Sequence, residues 1–395
     1  MKPTCFHLLS IKILCTALAC SVFLPADAAA APWDPAAADY TGRKGTTIYV
    51  SKLGDDSDGT SWEKAFHTIQ KALLAVPDEK GGHRVVVRPD TYSEANLYPA
   101  AKGAEGAYNL LVGDSDGSLG SGAKGWVVID SGDAQQGFKS YDWWGTIRSF
   151  KKGWSPEHTA ESFSAIGWDR WALRHLYATG GDGGLFWDLV DESGSGFTVV
   201  VEDCVSIGRA FGAGFGYPIV RKGEPIVFRR SYLMCLDRWG DAGAAGIGGA
   251  DEAMPDCPHA VFEDCTLVGP DNAVQVLYPS RYLRVKFKDC RLIVLNFSQP
   301  RGTPSSGILC CEVADPKQVH FDFEDSTLMG YTVFGTGESE GQMSYTTKGK
   351  VGAYVQFQQP VPEGFERLGL WPVEAFDAVG PPRPGPQEDA PGTSP

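Results

Sequence analysis

Apolar and polar positions recur along the middle of the chain in a register that six segments share. Each segment has two short apolar stretches on either side of a polar break. The segments are 171–180 (WALRHLYATG), 199–208 (VVVEDCVSIG), 226–235 (IVFRRSYLMC), 260–269 (AVFEDCTLVG), 285–294 (VKFKDCRLIV) and 321–330 (FDFEDSTLMG). Self-similarity of this kind, at irregular spacing, predicts a solenoid in which each repeat stacks on the next.

Three positions of the register predict what the stacked coils bring together. The third position is apolar and predicts an inward-facing column: Leu173, Val201, Phe228, Phe262, Phe287 and Phe323. The sixth position is mostly small, where the chain turns: Leu176, Cys204, Ser231, Cys265, Cys290 and Ser326. The fourth position alternates in charge: Arg174, Glu202, Arg229, Glu263, Lys288 and Glu324. Since parallel strands lie about 4.8 Å apart, opposite charges would meet, and we interpret this column as structural rather than catalytic.

A second short apolar strand is predicted before each repeat. These strands are predicted at Ala165–Asp169, Leu185–Val190, Phe215–Val220, Ile247–Asp251, Ala273–Tyr278 and Ile308–Val313. No helical period separates them, so the pattern predicts an all-β chain folded as a right-handed parallel β-helix. Four coils end on a glycine, and we expect a positive φ there: Gly180, Gly208, Gly269 and Gly330.

The two ends of the chain differ from this repeat. Lys2 and Lys12 precede an apolar run over 13–24 that is followed by small residues, which predicts a signal peptide over 1–30 and a secreted or periplasmic protein. Cys20 follows Ala-Leu-Ala rather than a lipoprotein motif, so we do not expect a lipid anchor. Residues 47–92 resemble the opening of many secreted β-helix proteins, which implies a helix over about 65–76 that caps the solenoid. We expect one β-helix domain over 31–379, with an excursion at 134–162 that packs on it, and a disordered Pro/Gly-rich tail over 380–395.

The net charge excludes some classes of binding partner, and the cysteines offer a candidate disulfide. The net charge of −14 argues against nucleic acid and anionic membrane surfaces, and no second apolar run is long enough to insert into a membrane. An acidic sugar polymer remains compatible, because a metal ion can bridge two anionic partners. We expect a monomer. In an oxidising compartment, Cys235 and Cys257 are the pair that we would test for a disulfide.

The predicted second strand is also where chemistry is expected. In β-helix enzymes that act on sugars, the substrate generally lies across this strand. Its outward residues here are predicted to be Asp169, Asp188, Asp251, Gln275 and Glu312, although a plain solvated acidic surface would look the same. Tryptophans are concentrated nearby, and we expect Trp154, Trp168 and Trp187 to stack on sugar rings. Some tryptophans of this stretch could instead form the core of the excursion.

One coil resembles the family-nine pectate lyases. The stretch GGDGGLFWDLVDESGSGFTVVVEDCVSIG is similar to their calcium-binding turn and the strand that follows it. The resemblance implies a calcium ion held by Asp182 and Asp188, with Asp191 nearby. The lysine that serves as base in that family is absent, because Gly216 stands in its place. A lyase still needs a base, and Arg221, Lys222 and Arg238 are the candidates.

Two other functions stay open. A glycoside hydrolase would need two carboxylates, and Asp188 and Asp251 are predicted about 10 Å apart, which suits an inverting pair. A β-helix that binds glycans without turnover would be consistent with the missing lysine. A polysaccharide lyase acting on an acidic polysaccharide is the function that the sequence favours.

Overall fold

A computed structural model of the chain describes most of the residues from 43 onwards. The described residues are 43–132, 147–148, 166–189, 198–215, 224–236, 243–248, 257–276, 282–295, 308–311, 318–335, 343–355, 361–370, 380–382 and 388–389. They all belong to one compact unit, Trp33–Pro395. The strands are numbered below in chain order.

The first of three long sheets, sheet A, has ten strands, and all of its pairings are parallel. Its strands, in spatial order, are β1 (Thr47–Val50), β2 (Arg84–Val87), β4 (Asn109–Gly113), β8 (Trp171–Arg174), β11 (Val199–Glu202), β14 (Ile226–Arg229), β17 (Ala260–Glu263), β20 (Tyr282–Lys288), β23 (Gln318–Glu324) and β25 (Met343–Lys348).

Sheet B is a second ten-stranded parallel sheet, and each of its strands except the last follows a strand of sheet A along the chain. Its strands are β3 (Asp90–Tyr92), β6 (Val127–Asp130), β9 (Leu176–Thr179), β12 (Val205–Gly208), β15 (Tyr232–Cys235), β18 (Thr266–Gly269), β21 (Arg291–Val294), β24 (Thr327–Gly330), β26 (Gly352–Val355) and β27 (Glu366–Gly369).

Sheet C is shorter and contains β7 (Ile147–Arg148), β10 (Gly183–Leu189), β13 (Phe211–Phe215), β16 (Gly243–Ile247), β19 (Val274–Val276) and β22 (Leu309–Cys311). The chain therefore visits A, B and C in turn and then pairs in parallel with the previous coil. This architecture is a parallel β-helix, as the repeat predicts. No helix among the described residues is long and apolar enough to span a membrane.

The core is a continuous apolar column inside the coils. Phe228, Phe262, Phe287 and Phe323 occupy the predicted third position, and their rings stack with centroids 5.1, 5.4 and 5.5 Å apart. Each of these rings is at most 1% exposed. The predicted inward column is confirmed, and offset stacking of this kind adds about 0.5–1.5 kcal/mol per pair beyond burial.

The corner from sheet A to sheet B is made by the fifth position of the register, which adopts the left-handed backbone conformation in every repeat. These residues are His175 (φ 55), Asp203 (φ 53), Arg230 (φ 46), Asp264 (φ 50), Asp289 (φ 54) and Asp325 (φ 48). Aspartate predominates because its short polar side chain tolerates this conformation better than most.

The small sixth residue completes the corner. The Ser231 hydroxyl donates to the carbonyl oxygen of Arg229 at 2.8 Å, and the Cys290 thiol donates to that of Lys288 at 3.3 Å. Ser231 Oγ also accepts from the backbone N–H of Cys204 in the previous coil at 3.2 Å. Serine and cysteine are thus interchangeable here because both supply a small donor to a buried carbonyl group.

The fourth position forms the predicted ladder of opposite charges on the outer face of sheet A. The Glu202 carboxylate forms an ion pair with Arg174 at 3.3 Å and accepts a hydrogen bond from Arg229 at 3.0 Å. Glu263 accepts from Arg229 at 3.3 Å and from Lys288 at 3.1 Å. The ladder fixes the register of neighbouring coils, so its cations have structural partners.

The ladder changes partner in the last coils. Glu324 contacts Lys286 at 3.1 Å rather than continuing from Lys288, and it contacts Lys348 of β25 at 3.0 Å. Lys286 lies two positions before Lys288 on β20, so the pairing shifts along the strand within the same face.

Several sequence predictions of local structure were wrong. Residues 166–168 form a 3-10 helix rather than a strand, and β13 and β16 end at Phe215 and Ile247, where strands were predicted to begin. Of the four coil-ending glycines, only Gly180 has a positive φ, of 86°. At Gly208 and Gly269 the reason for glycine is close approach, because a Cβ would collide with the carbonyl oxygens of Phe211 and Asn272.

The first coil carries one helix, α1 (Ile69–Leu74), which is shorter than the predicted 65–76. Its buried side chains join the core, and its first N–H groups, at Ile69 and Gln70, donate to the Glu94 carboxylate at 2.7 and 2.8 Å. The role of this helix as a cap of the solenoid stays a prediction.

Two further predictions concern excursions and the carboxyl end. Ile147 and Arg148, within the predicted excursion 134–162, form β7 and pair with Phe186 and Trp187 of β10, so this part of the segment belongs to sheet C. In the predicted disordered tail, β28 (Glu388–Asp389) pairs antiparallel with β5 (Ala123–Lys124).

The proposed disulfide is not formed. Cys235 and Cys257 are both free, and their thiols donate to the carbonyl oxygens of Arg209 and Pro258.

Candidate functional site

The floor of the candidate site is one outward column of sheet C. Gly214, Gly246 and Gln275 are paired in register across three successive coils. Val274 and Val276, on either side of Gln275, are buried in the core, so Gln275 lies on the opposite face of the sheet. This is the outward position that the sequence predicts for Gln275. The side chain is nevertheless only 1% exposed.

An aromatic ring covers part of this column. A Cβ added at Gly246 would lie 2.5 Å from the ring of Phe211, so that ring rests against the glycine. Phe211 forms a small apolar cluster with Ala210, apart from the main core, and is 9% exposed. The glycine is therefore required by the close approach of Phe211 to the sheet.

A charged pair lies where the chain passes from sheet B to sheet C. Arg209 Nε donates to Asp182 Oδ1 at 2.8 Å, and Arg209 Nη2 contacts the same oxygen. The Asp182 backbone carbonyl oxygen accepts from the N–H groups of Ala210 and Phe211 at 2.8 and 3.1 Å. These contacts connect the turns of two adjacent coils.

The two members of the pair differ in exposure. The Asp182 side chain is 4% exposed, whereas that of Arg209 is 46% exposed. A buried carboxylate thus orients a guanidinium at the solvent-facing edge of sheet C. Guanidinium groups in a fixed orientation suit the recognition of carboxylates, because their planar fork matches carboxylate geometry.

Asp182 was predicted to be a calcium ligand. Its carboxylate is buried and already neutralised by Arg209, so in this arrangement it does not fit calcium, which prefers several open oxygen donors. Among the described residues, no cluster of three or more His, Cys, Asp or Glu side chains could hold a metal ion. The calcium prediction therefore depends on Asp188 and Asp191, whose side chains lie outside the described residues.

Two predicted substrate-binding residues are placed in the interior. Trp168 is 1% exposed, donates from Nε1 to the carbonyl oxygen of Leu97 at 3.1 Å, and packs edge-on against Trp171. Asp169 is 3% exposed and accepts from the backbone N–H of Thr198 at 3.2 Å. Neither residue is on sheet C, and the burial of Trp168 leaves its ring no surface on which a sugar could stack.

The remaining predicted residues are placed only by chain position. Trp187 and Asp188 lie in β10, immediately before Leu189, which pairs with Phe215; their side chains lie outside the described part. The others lie wholly outside the described residues: Trp154, Asp191, Arg221, Lys222, Arg238, Asp251 and Glu312. All of them belong to chain segments that enter or leave a strand of sheet C.

Sequence reasoning missed Arg209. A signal was present, because Arg209 directly follows Gly208, which ends its coil, and it is therefore placed at a turn rather than in the charge ladder. The pairing with Asp182 could not be predicted, since it depends on how two turns of different coils meet.

The comparison with solved structures addresses the fold. A crystal structure of pectate lyase Pel9A matches with a probability of 1.00 and a TM-score of 0.50, over 84% of this chain and 76% of that one. The two chains share the parallel β-helix fold. The two chains are 14% identical, so the likeness extends to the pectate-lyase-like parallel β-helix and not to the activity. No protein-family model matches the chain, and no curated protein matches it.

Proposed function

We propose that this protein is a carbohydrate-active protein that cleaves an acidic polysaccharide by β-elimination at sheet C. The observation that carries the proposal is the pair Arg209–Asp182, a half-exposed guanidinium oriented by a buried carboxylate at the edge of that sheet. The pectate-lyase fold supports the proposal by analogy only, since one fold can host many activities.

The chemistry assigned to Arg209 is recognition of a uronate carboxylate. A cation on this carboxylate stabilises the charge that develops when the neighbouring C5 proton is removed. The C5–H and C4–O bonds then break, a C4=C5 double bond forms, and the leaving oxygen takes up a proton. Arg221, Lys222 and Arg238 are the proposed bases, because they lie in segments that flank β13 and β16.

Three further parts of the proposal rest on sequence. The apolar segment near the amino end supports export to the periplasm or the medium. Calcium assistance through Asp188 and Asp191 is proposed from the resemblance of that coil to family-nine pectate lyases. A monomer is proposed because a solenoid whose ends are capped, as the sequence predicts for the amino end, needs no partner; light scattering of the purified protein tests this.

The test is the ultraviolet absorbance of the unsaturated product. The purified protein is offered pectate, alginate and glycosaminoglycans, each with and without calcium, and we expect a rise with at least one of them. Arg209→Gln is expected to lower the rate at least tenfold, because a charge-assisted hydrogen bond contributes about 1.5–3 kcal/mol. Arg84→Gln, which removes an exposed arginine of β2, is the matched control and should leave the rate unchanged.

The fold of each variant is checked by circular dichroism, because Arg209→Gln leaves Asp182 without its cation. Arg209→Lys keeps the charge but not the planar fork, and an intermediate rate is expected. No rise with any polymer would overturn the lyase proposal. New reducing ends without a double bond would identify a hydrolase, and binding without turnover would identify a non-catalytic glycan-binding protein.

A further inference from the structure

A groove runs along the corner between sheets A and B and encloses about 490 Å³. The corner residues His175, Asp203, Arg230 and Asp264 of four successive coils line it. Four coils span about 14 Å along the solenoid, given the spacing of parallel strands. The volume is within the range of ligand sites, and no residue of sheet C lines the groove.

The floor of the groove is apolar and aromatic. Val205 and Tyr232 are paired in register on sheet B, and both contribute to the lining together with Trp126. Tyr232 is buried, whereas Trp126 is partly exposed and packs edge-on against Tyr177 with ring centroids 5.9 Å apart. A partly exposed ring held in this way offers an apolar face with a polar edge, which is the surface on which sugar rings stack.

The sides of the groove carry some charged groups that form ion pairs and others that do not. Arg230 is already bound by Asp203, with contacts of 2.7 and 3.0 Å. Arg291 and Asp264 also line the groove, and neither forms an ion pair or a side-chain hydrogen bond with any of the described residues. The groove thus presents one cation and one carboxylate that have no partner within the described chain.

These groups suit one class of ligand. An acidic sugar has a carboxylate for a guanidinium, hydroxyl groups that donate to a carboxylate, and a ring with an apolar face. A nucleic acid would meet the carboxylates of Asp203 and Asp264 with its phosphates, which disfavours it.

We propose that this groove is a second glycan-binding site, distinct from sheet C, that holds a short uronate-containing oligosaccharide. The ligand carboxylate binds Arg291, its hydroxyl groups donate to Asp264, and a sugar ring packs against Trp126. The polymer class rests on the proposed function, whereas the site itself rests on the geometry of the groove. A second site would hold the polymer along the solenoid without taking part in its cleavage.

Isothermal titration calorimetry of the full chain with short oligosaccharides from pectate and alginate tests the proposal. The unaltered protein is expected to show two sites, and Arg291→Gln should weaken one of them at least tenfold. Asp264→Asn keeps a residue that tolerates the left-handed conformation and should weaken the same site several-fold. Arg84→Gln is the matched control, and Arg209→Gln should affect only the other site.

The outcomes separate the two proposals. One site that Arg291→Gln leaves unchanged would overturn the groove and leave the lyase proposal standing. One site that depends on Arg291 and not on Arg209 would support the groove and contradict the assignment of Arg209. Absence of binding to every acidic oligosaccharide would overturn both.

Discussion

The guanidinium of Arg229 lies 3.0 Å from the carboxylate of Glu202, and the side chain of each is only 7% exposed. Glu263 of the next coil approaches the same guanidinium at 3.3 Å. Removing one member of a buried pair leaves an uncompensated charge, so Arg229→Met should lower the free energy of unfolding by about 3 kcal/mol. Urea unfolding followed by circular dichroism measures this loss.

The end of the same ladder supplies the control. Lys348 contacts Glu324 but is 76% exposed, so Lys348→Met should cost less than about 1 kcal/mol. Equal losses in the two variants would contradict the view that burial gives the middle of the ladder its importance.

The left-handed conformation of Asp289 predicts a difference in stability between variants at this position. Its φ of 54° is unfavourable for a β-branched residue, so Asp289→Val should lower the free energy of unfolding by about 1–2 kcal/mol. Asp289→Asn and Asp289→Gly should be nearly neutral in the same unfolding experiment. A valine variant as stable as the asparagine variant would show that the corner relaxes to another conformation.

The stacked phenylalanines predict a large loss of stability when one ring is removed. Phe262 lies between Phe228 and Phe287 and is fully buried, so Phe262→Ala should cost about 3–5 kcal/mol through lost burial and the resulting cavity. Phe262→Leu fills most of that space and should cost clearly less. Thermal unfolding of both variants orders them, and the reverse order would be incompatible with a packed column.

The contacts of Asp322 predict that the stability of the fold depends on pH. Burial raises its pKa, but the hydrogen bonds from Arg284 and Thr346 and the charge of Arg284 outweigh this effect, so the pKa lies below its ordinary value. Folding therefore favours the ionised form. The resulting stability is fully present above about pH 4 and is lost as the pH falls through the lower pKa of the folded state.

The difference in Tm between the unaltered protein and Asp322→Asn measures this contribution. It should be largest near neutral pH and should shrink as the pH falls from about 4 towards 2. Glu79→Gln, at an exposed position, controls for the loss of one negative charge. A difference that stays constant over this range would mean that Asp322 does not stabilise the fold through its charge.

The columns of the solenoid could be predicted from sequence because each register position meets its equivalent in the next coil. Glu202 and Arg229 are 27 positions apart, yet their contact follows from alignment of two repeats. Positions three, four and six were therefore predicted correctly, and with them the fold.

Sheet C could be predicted only in part. Its strands β13 (FGAGF) and β16 (GAAGI) consist mostly of glycine and alanine, which have low strand propensity, so the predicted strands began where the real ones end. Trp168 was misplaced for a related reason: its burial depends on packing against Trp171, which a list of nearby aromatic residues does not show. The contact between Arg209 and Asp182 joins two turns that lie outside the register shared by the repeats, so alignment of the repeats does not predict it.

The corner between sheets A and B also determines where this protein can accept added residues. Register partners on sheet A are 36 positions apart at Val285 and Phe321 but 24 apart at Phe321 and Tyr345. The residue after each of these three strands nevertheless keeps the left-handed conformation. Insertions and deletions are thus confined to the rest of the coil, which includes the segments that enter and leave sheet C. Loops of new length and composition can be exchanged beside the candidate site without altering the charge ladder or the phenylalanine stack, which makes this side of the solenoid the one open to change of specificity.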